Sequence, residues 1–148
     1  MNKQFDQLRE ALLDLTGLLN RPQQDDALLR AAGVELDRAL FPLLVRIERR
    51  GPLGVGELAD LAGRDYTTVS RQVAKLEELG LIERRAGSDK RVREAVVTAR
   101  GREITEALDR TRERMLTLLF AEWDKDDIAT LARLLRRLAD DAMAQTRE

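Results

Sequence analysis

Thr67, Thr68, Ser70 and Arg71 crowd one short stretch of this chain, with Lys75 one helical turn beyond Arg71. Hydroxyls and a guanidinium at that spacing suit one kind of chemistry. Ser and Thr hydrogen-bond base edges or phosphate oxygens, and Arg pairs bidentately with guanine in a major groove. A second group follows at Ser88-Asp89-Lys90-Arg91, flanked by Arg84 and Arg93. Arg91 is always charged and weakly hydrated, which fits the narrow, negative minor groove. Lys75, Lys90, Arg93 and Arg84 are candidate phosphate contacts. Asp89 would repel phosphate, so its expected role is to bond the loop backbone or to orient Arg91. Taken alone, each group also matches a bland alternative, a solvated helix face or a polar surface turn.

The elements around these residues favour the first reading. Asp65 is a good N-cap for a helix from Tyr66 to Leu79, and Gly80 stands where a left-handed residue ends it. At about 100° per residue, Val69, Val73 and Leu76 share the core side, and Thr67, Arg71, Ala74 and Glu78 point away from it. A short helix at Glu57 to Ala62 precedes it across a Gly63-Arg64 turn. Leu81 to Arg85 and Val92 to Val97 have strand composition, and Thr98 can cap the next helix. Two helices, a tight turn and a basic hairpin are the layout of a winged helix-turn-helix.

Composition narrows the alternatives. The 148 residues suit one domain, and only 3% are aromatic, so helix is favoured over sheet. There is no cysteine and no histidine. That excludes disulfides, thiol sensing, Cys/His zinc sites and any histidine general base, and no cofactor is expected. No motif with a mechanism points to an enzyme. Gly51-Pro52-Leu53-Gly54-Val55-Gly56 has phosphate-loop glycines, but Glu57 and Leu58 follow where Lys-Ser/Thr is required. Nothing at the N-terminus reads as a signal peptide, and the longest apolar run, Ala39 to Val45, is far below the roughly 20 residues of a membrane span. A cytoplasmic protein with no membrane partner is expected.

The net charge is -1, yet the charge is segregated. From Arg84 to Arg102 seven basic residues face two acidic ones, a local excess of +5. From Glu103 onward eight basic residues face eleven acidic ones, or -3. This is the pattern of a protein with one anion-binding face.

Outside the motif the chain reads as helix. Phe5, Leu8, Leu12, Leu15 and Leu19 form a stripe that ends before Pro22. Asp25 or Asp26 is placed to cap a short helix through Leu28 and Leu29 that Gly33 ends. Glu35 to Arg49 is amphipathic, with Pro42 either kinking or breaking it. Ala99 to Phe120 is a long, charged helix, and Asp124 caps a last one carrying Ile128, Leu131, Leu135 and Leu138. The stripe at Leu8, Leu12 and Leu15 and the one at Ile128 to Leu138 are large for a monomer, and burial against a two-fold mate accommodates them simply.

TTVSRQVAKLEELGLIERR at 67–85, the Asp89-x-Arg91 wing and the Val97-Thr98-x-x-Gly101 close together resemble the MarR family of bacterial transcriptional regulators, over about residues 36–140. The resemblance implies a mostly α (α+β) fold. It places an N-terminal dimerisation helix and short connecting helix at 1–34, a winged helix-turn-helix at 35–101 and C-terminal dimerisation helices at 102–148. It implies a homodimeric repressor of a pseudopalindromic double-stranded DNA operator. Many family members release DNA on binding a small aromatic or anionic ligand; Leu43, Arg46 and Trp123 are conceivable lining residues. By position, Thr67, Thr68, Ser70 and Arg71 match the major-groove residues, and Asp89 and Arg91 the wing pair. Gly56 stands where a Ser or Thr cap is common. The competing reading is a winged-helix module that binds another protein and no DNA, for which Glu77, Glu78 and Glu83 leave room.

Overall fold

The apolar repeats at helical spacing become seven α-helices among residues 2–147, the part that a computed structural model describes. Helices α1 (Lys3–Leu19), α2 (Pro22–Ala32), α3 (Phe41–Arg50), α4 (Val55–Ala62) and α5 (Tyr66–Glu78) come first. Strands β1 (Ile82–Ala86) and β2 (Arg93–Val97) follow, then α6 (Ala99–Leu119) and α7 (Lys125–Gln145). The strands pair antiparallel in the register Ile82↔Val97 to Ala86↔Arg93. Leu53 adds a one-residue bridge to Ala95 on the far side of β2. The expected mostly helical fold with a small hairpin is what forms.

The chain divides into two compact units, one running to Thr111 and the other starting at Arg112. In the first, Leu43, Leu44 and Ile47 of α3 pack with Leu58 of α4, Val69, Val73 and Leu76 of α5, and Ile82 and Ala95 of the hairpin. All are nearly or fully inaccessible to solvent. At about 1.5–3 kcal/mol per buried large side chain, this cluster is what holds α5 in place. A second cluster joins Leu28 and Leu29 of α2 to Phe41 and Val45 of α3 and Leu108 of α6. In the other unit, Phe120 and Trp123 meet edge to face with centroids 5.0 Å apart.

Local chemistry sets the element ends. Asp65 and Asp124 cap α5 and α7 as expected. Gly80 takes φ 75°, and the Leu81 N–H reaches back to the Leu76 carbonyl at 3.0 Å, closing α5 with a left-handed residue. The Thr98 hydroxyl donates to the Gly80 carbonyl at 2.7 Å and accepts from the Gly101 N–H at 3.1 Å. One side chain thus joins the end of α5 to the start of α6.

Three expectations need correcting. Pro22 does not merely interrupt; it starts α2 in the first turn, where its missing N–H costs nothing, and neither Asp25 nor Asp26 caps that helix. Likewise Pro42 lies in the first turn of α3, so the amphipathic stretch from Glu35 is a turn before Phe41 and a helix only after it. The cap of α4 is Gly54, not Gly56, which lies inside the helix. A Cβ at position 54 would come within 3.2 Å of Val92 Cγ1, so the usual Ser or Thr would crowd the hairpin.

Gly101 has no room for a side chain, because a Cβ would collide with the Leu81 carbonyl oxygen and come within 2.8 Å of Val97 Cγ1. Gly101→Ala is therefore expected to lower stability by about 1–3 kcal/mol, as overpacking does. Urea unfolding would measure it; an unchanged midpoint would mean that the junction yields freely.

Candidate nucleic-acid interface

Helix α5 is the element that presents Thr67, Thr68, Ser70, Arg71 and Lys75. Its core side is as the periodicity requires, with Val69, Val73 and Leu76 buried. Thr67, Arg71, Ala74 and Lys75 are exposed, whereas Thr68 and Ser70 are half-buried. The first turn is held by one residue. Asp65 Oδ1 accepts from the Thr68 N–H at 2.8 Å, and Oδ2 accepts from the Thr68 hydroxyl at 2.7 Å. The Thr68 hydroxyl therefore has its proton engaged and keeps only acceptor capacity for a base amino group. Arg71 is exposed and makes no ion pair among the described residues. Lys75 lies 3.7 Å from Glu78, an exposed pair of little energetic weight.

The hairpin supplies the second half. Asp89 Oδ1 accepts from the Arg91 backbone N–H at 3.0 Å, and the Val92 N–H reaches the Asp89 carbonyl at 3.0 Å. This is the loop-backbone bond expected of Asp89, and it stiffens the tip. Lys90 and Arg91 are exposed and unpaired among the described residues. Arg93 lies back across the hairpin, its Nη2 donating to the Arg84 carbonyl at 3.3 Å. Arg84 departs furthest from expectation. It is half-buried on the same strand face as Ile82, and its Nε is shielded from solvent with no partner. Much of that side chain is engaged in packing, which leaves less of it for a phosphate.

Two neighbours of α5 escaped the sequence reading. Arg64, read only as a turn residue, donates from Nη1 to the Ala39 carbonyl at 2.7 Å and to Gln72 Oε1 at 3.0 Å. Tyr66 opens α5 and is 62% exposed, a large aromatic left in solvent beside the hydroxyl face. An exposed aromatic in the first turn was a legible signal; the Arg64 bridge spans 25 residues and was not. Beside them a cleft of about 260 Å³ is bounded by Asp37, Ala39, Leu40, Arg71, Gln72 and Lys75. Leu43, suggested as a ligand contact, is wholly buried in the core and cannot serve as one.

A family model described as HVO_A0114 matches residues 36–100. The uncharacterized HTH-type transcriptional regulator YxaD of Bacillus subtilis strain 168 is 31% identical over 126 residues, which span 84% of this chain and 87% of that protein. The crystal structure of MarR aligns with a TM-score of 0.65 at 32% identity, over 88% of this chain and 98% of that one. The chain belongs to the MarR family of transcriptional regulators. A further MarR family regulator, from Listeria monocytogenes and complexed with 26mer DNA, shares the fold with a TM-score of 0.72 at 21% identity, over 93% of this chain and 89% of that one. Within this MarR-family regulator, the motif matched by the family model holds both groups of candidate residues.

The cap of α5 is open to a pH test. Asp65 is held below the ordinary carboxylate value of 3.8, first by the Thr68 hydroxyl and then by the Thr68 backbone N–H. A lowered folded pKa stabilises fully above the unfolded value and is lost as pH falls through the folded one. Asn caps nearly as well as Asp, but without charge. Asp65→Asn is therefore expected to melt slightly below wild type at neutral pH, with the gap closing as the pH drops well under 3.8. A gap that persists in acid would show that the benefit is not ionic.

Proposed function

We propose that this regulator binds a pseudopalindromic DNA operator as a homodimer and represses transcription from it. The observation that carries the DNA reading is a pairing within one unit. A rigidly capped helix presents Thr67 and an unpaired Arg71, and a stiffened hairpin presents unpaired Lys90 and Arg91. Arg71 is suited to a guanine edge in the major groove, and Arg91 to the minor groove beside it. Thr67, Ser70, Lys75, Lys90 and Arg93 supply hydroxyl or cationic contacts that set register and salt dependence. The DNA complex of the Listeria relative supports the same use of the fold. A small aromatic or anionic ligand in the cleft beside Arg71 and Lys75 would compete with DNA for both cations.

Dimerisation is supported by the apolar surface that the helices leave open. α1 and α7 have no buried residue. Leu8, Leu12, Leu15, Leu135 and Leu138 remain between 38% and 51% exposed, and Ile128 and Leu131 are only half-buried. A monomer rarely leaves that much leucine in water. A second copy would cover these faces by two-fold symmetry and bring two α5 helices to bear on one duplex.

Selection of bound fragments from sheared genomic DNA at moderate salt tests the operator. An enriched inverted repeat is expected, with half-sites roughly 34–36 Å apart; no enrichment at any salt would overturn the reading and favour a protein partner. On that operator Arg71→Ala should cost about 1–3 kcal/mol and relax the preference at one base pair. Unchanged affinity would remove Arg71 from the base contacts. For the dimer, light scattering should give about twice the 16.8 kDa chain mass. The double substitution Leu12→Asp and Leu135→Asp should return the single-chain mass while the helical circular dichroism is retained, whereas a wild type of single-chain mass would refute the dimer.

A further inference from the structure

Three arginines outside the DNA-contact residues named so far lie on α3 and in the turn before α5. Arg46 and Arg50 stand one turn apart on α3 and share a face. Arg64 lies in the turn before α5, and its bonds to the Ala39 carbonyl and Gln72 Oε1 pin its guanidinium against that helix. Arg50 and Arg64 both act on Arg46, whose pKa is lowered first by partial burial and then by these two charges. Neither Arg46 nor Arg50 forms an ion pair among the described residues. Glu48, the one carboxylate of α3, pairs instead with Arg102 at 3.5 Å, and Asp109 of α6 pairs with Arg49 at 3.4 Å. Like charges gathered without counter-charge are a cost in the free protein, and an anion that bridges them would relieve it.

The position of the trio favours one anion. Gln72, which holds Arg64, is the immediate neighbour of Arg71 and borders with it and Lys75 the cleft on that flank of α5. That cleft carries Arg71 and Lys75 with one acid, Asp37, on its border, and Arg64 ties its flank to the residues just before α3 through Gln72 and the Ala39 carbonyl. A helix seated in a major groove has a sugar-phosphate strand along its flank, and the guanidinium fork matches phosphate oxygens bidentately. We propose that Arg46, Arg50 and Arg64 clamp a backbone phosphate of the strand passing the Gln72 flank of α5. The clamp rests on the DNA-binding reading and extends the interface from α5 and the hairpin to α3. It carries no sequence information. Because Arg64 is bonded to Gln72, a phosphate held there fixes the angle at which α5 enters the groove.

The test is fluorescence anisotropy of the full-length protein on its selected operator and on a scrambled duplex of equal length, across a range of salt. The variant is Arg46→Gln with Arg50→Gln, which leaves the Arg64 bonds intact; circular dichroism confirms its fold. The slope of log affinity against log salt should fall by about 0.9 for each lost contact. Operator and scrambled duplex should weaken by the same factor, so that their ratio is unchanged. Arg46→Lys with Arg50→Lys should restore most of the slope, which a mere packing defect would not allow. If wild type binds and the Gln variant keeps its slope and affinity, the clamp is wrong and DNA binding stands. A loss confined to the operator at unchanged slope also overturns it. If wild type binds neither duplex, the DNA reading itself fails and takes the clamp with it.

Discussion

Everything functional in this chain depends on the close approach between the end of α5 and the start of α6. The Thr98 hydroxyl spans it, giving its proton to the Gly80 carbonyl and receiving the Gly101 N–H. The Thr98 backbone N–H adds a bond to the Leu81 carbonyl at 3.1 Å. Gly101 is required because its α-carbon lies against that same carbonyl. Gly80 is required because only a left-handed residue lets Leu81 turn back on α5. The hairpin leaves and returns through this junction, so its angle to α5 is set there. The motif Val97-Thr98-x-x-Gly101 therefore acts as a structural pin that fixes how the hairpin stands on α5.

The electrostatics follow a similar economy. The chain is nearly neutral as a whole, at -1. Many of its cations are spent on carboxylates, including Arg49, Arg85, Arg102, Arg136 and Arg137. Among the described residues, Arg46, Arg50, Arg71, Lys90 and Arg91 are exposed cations near the motif that form no ion pair. At physiological salt a surface charge is felt over about 8 Å, so this residue of positive charge matters to a polyanion and net charge does not. Asp65 and Asp89 sit among these cations, each bonded to a backbone N–H of its own turn, and Asp65 also feels the charge of Arg71.

The two core clusters use up the apolar residues of α2 to α5 and of the sheet. They leave α1, α7 and the end of α6 with amphipathic faces that the chain itself does not cover. Leu118 and Leu119 are 78% and 67% exposed, higher than almost any other large apolar side chain. Hydrophobic burial is the main favourable term in folding, so helices of this kind gain little stability from within one chain.

The sequence by itself determined the parts that local physics controls. The side of α5 that is buried, the caps Asp65, Thr98 and Asp124, the left-handed Gly80 and the loop-bonding Asp89 were all legible. Each depends on a repeat of 3.6 residues or on hydrogen bonds spanning two or three residues. Only the tertiary structure decided the rest. Pro22 and Pro42 could break or begin a helix, and packing of Leu28, Leu29 and Phe41 around Leu108 selects beginning. Leu43 is buried because Leu58 of α4 and Ile82 of the hairpin join it in one core, and Arg84 is half-buried on the strand face of Ile82. Gly54 replaces a polar cap because Val92, far along the chain, occupies the space. Arg64 joins α5 to Ala39 across 25 residues. In every such case the deciding neighbour is remote in sequence, and no local pattern carries its position.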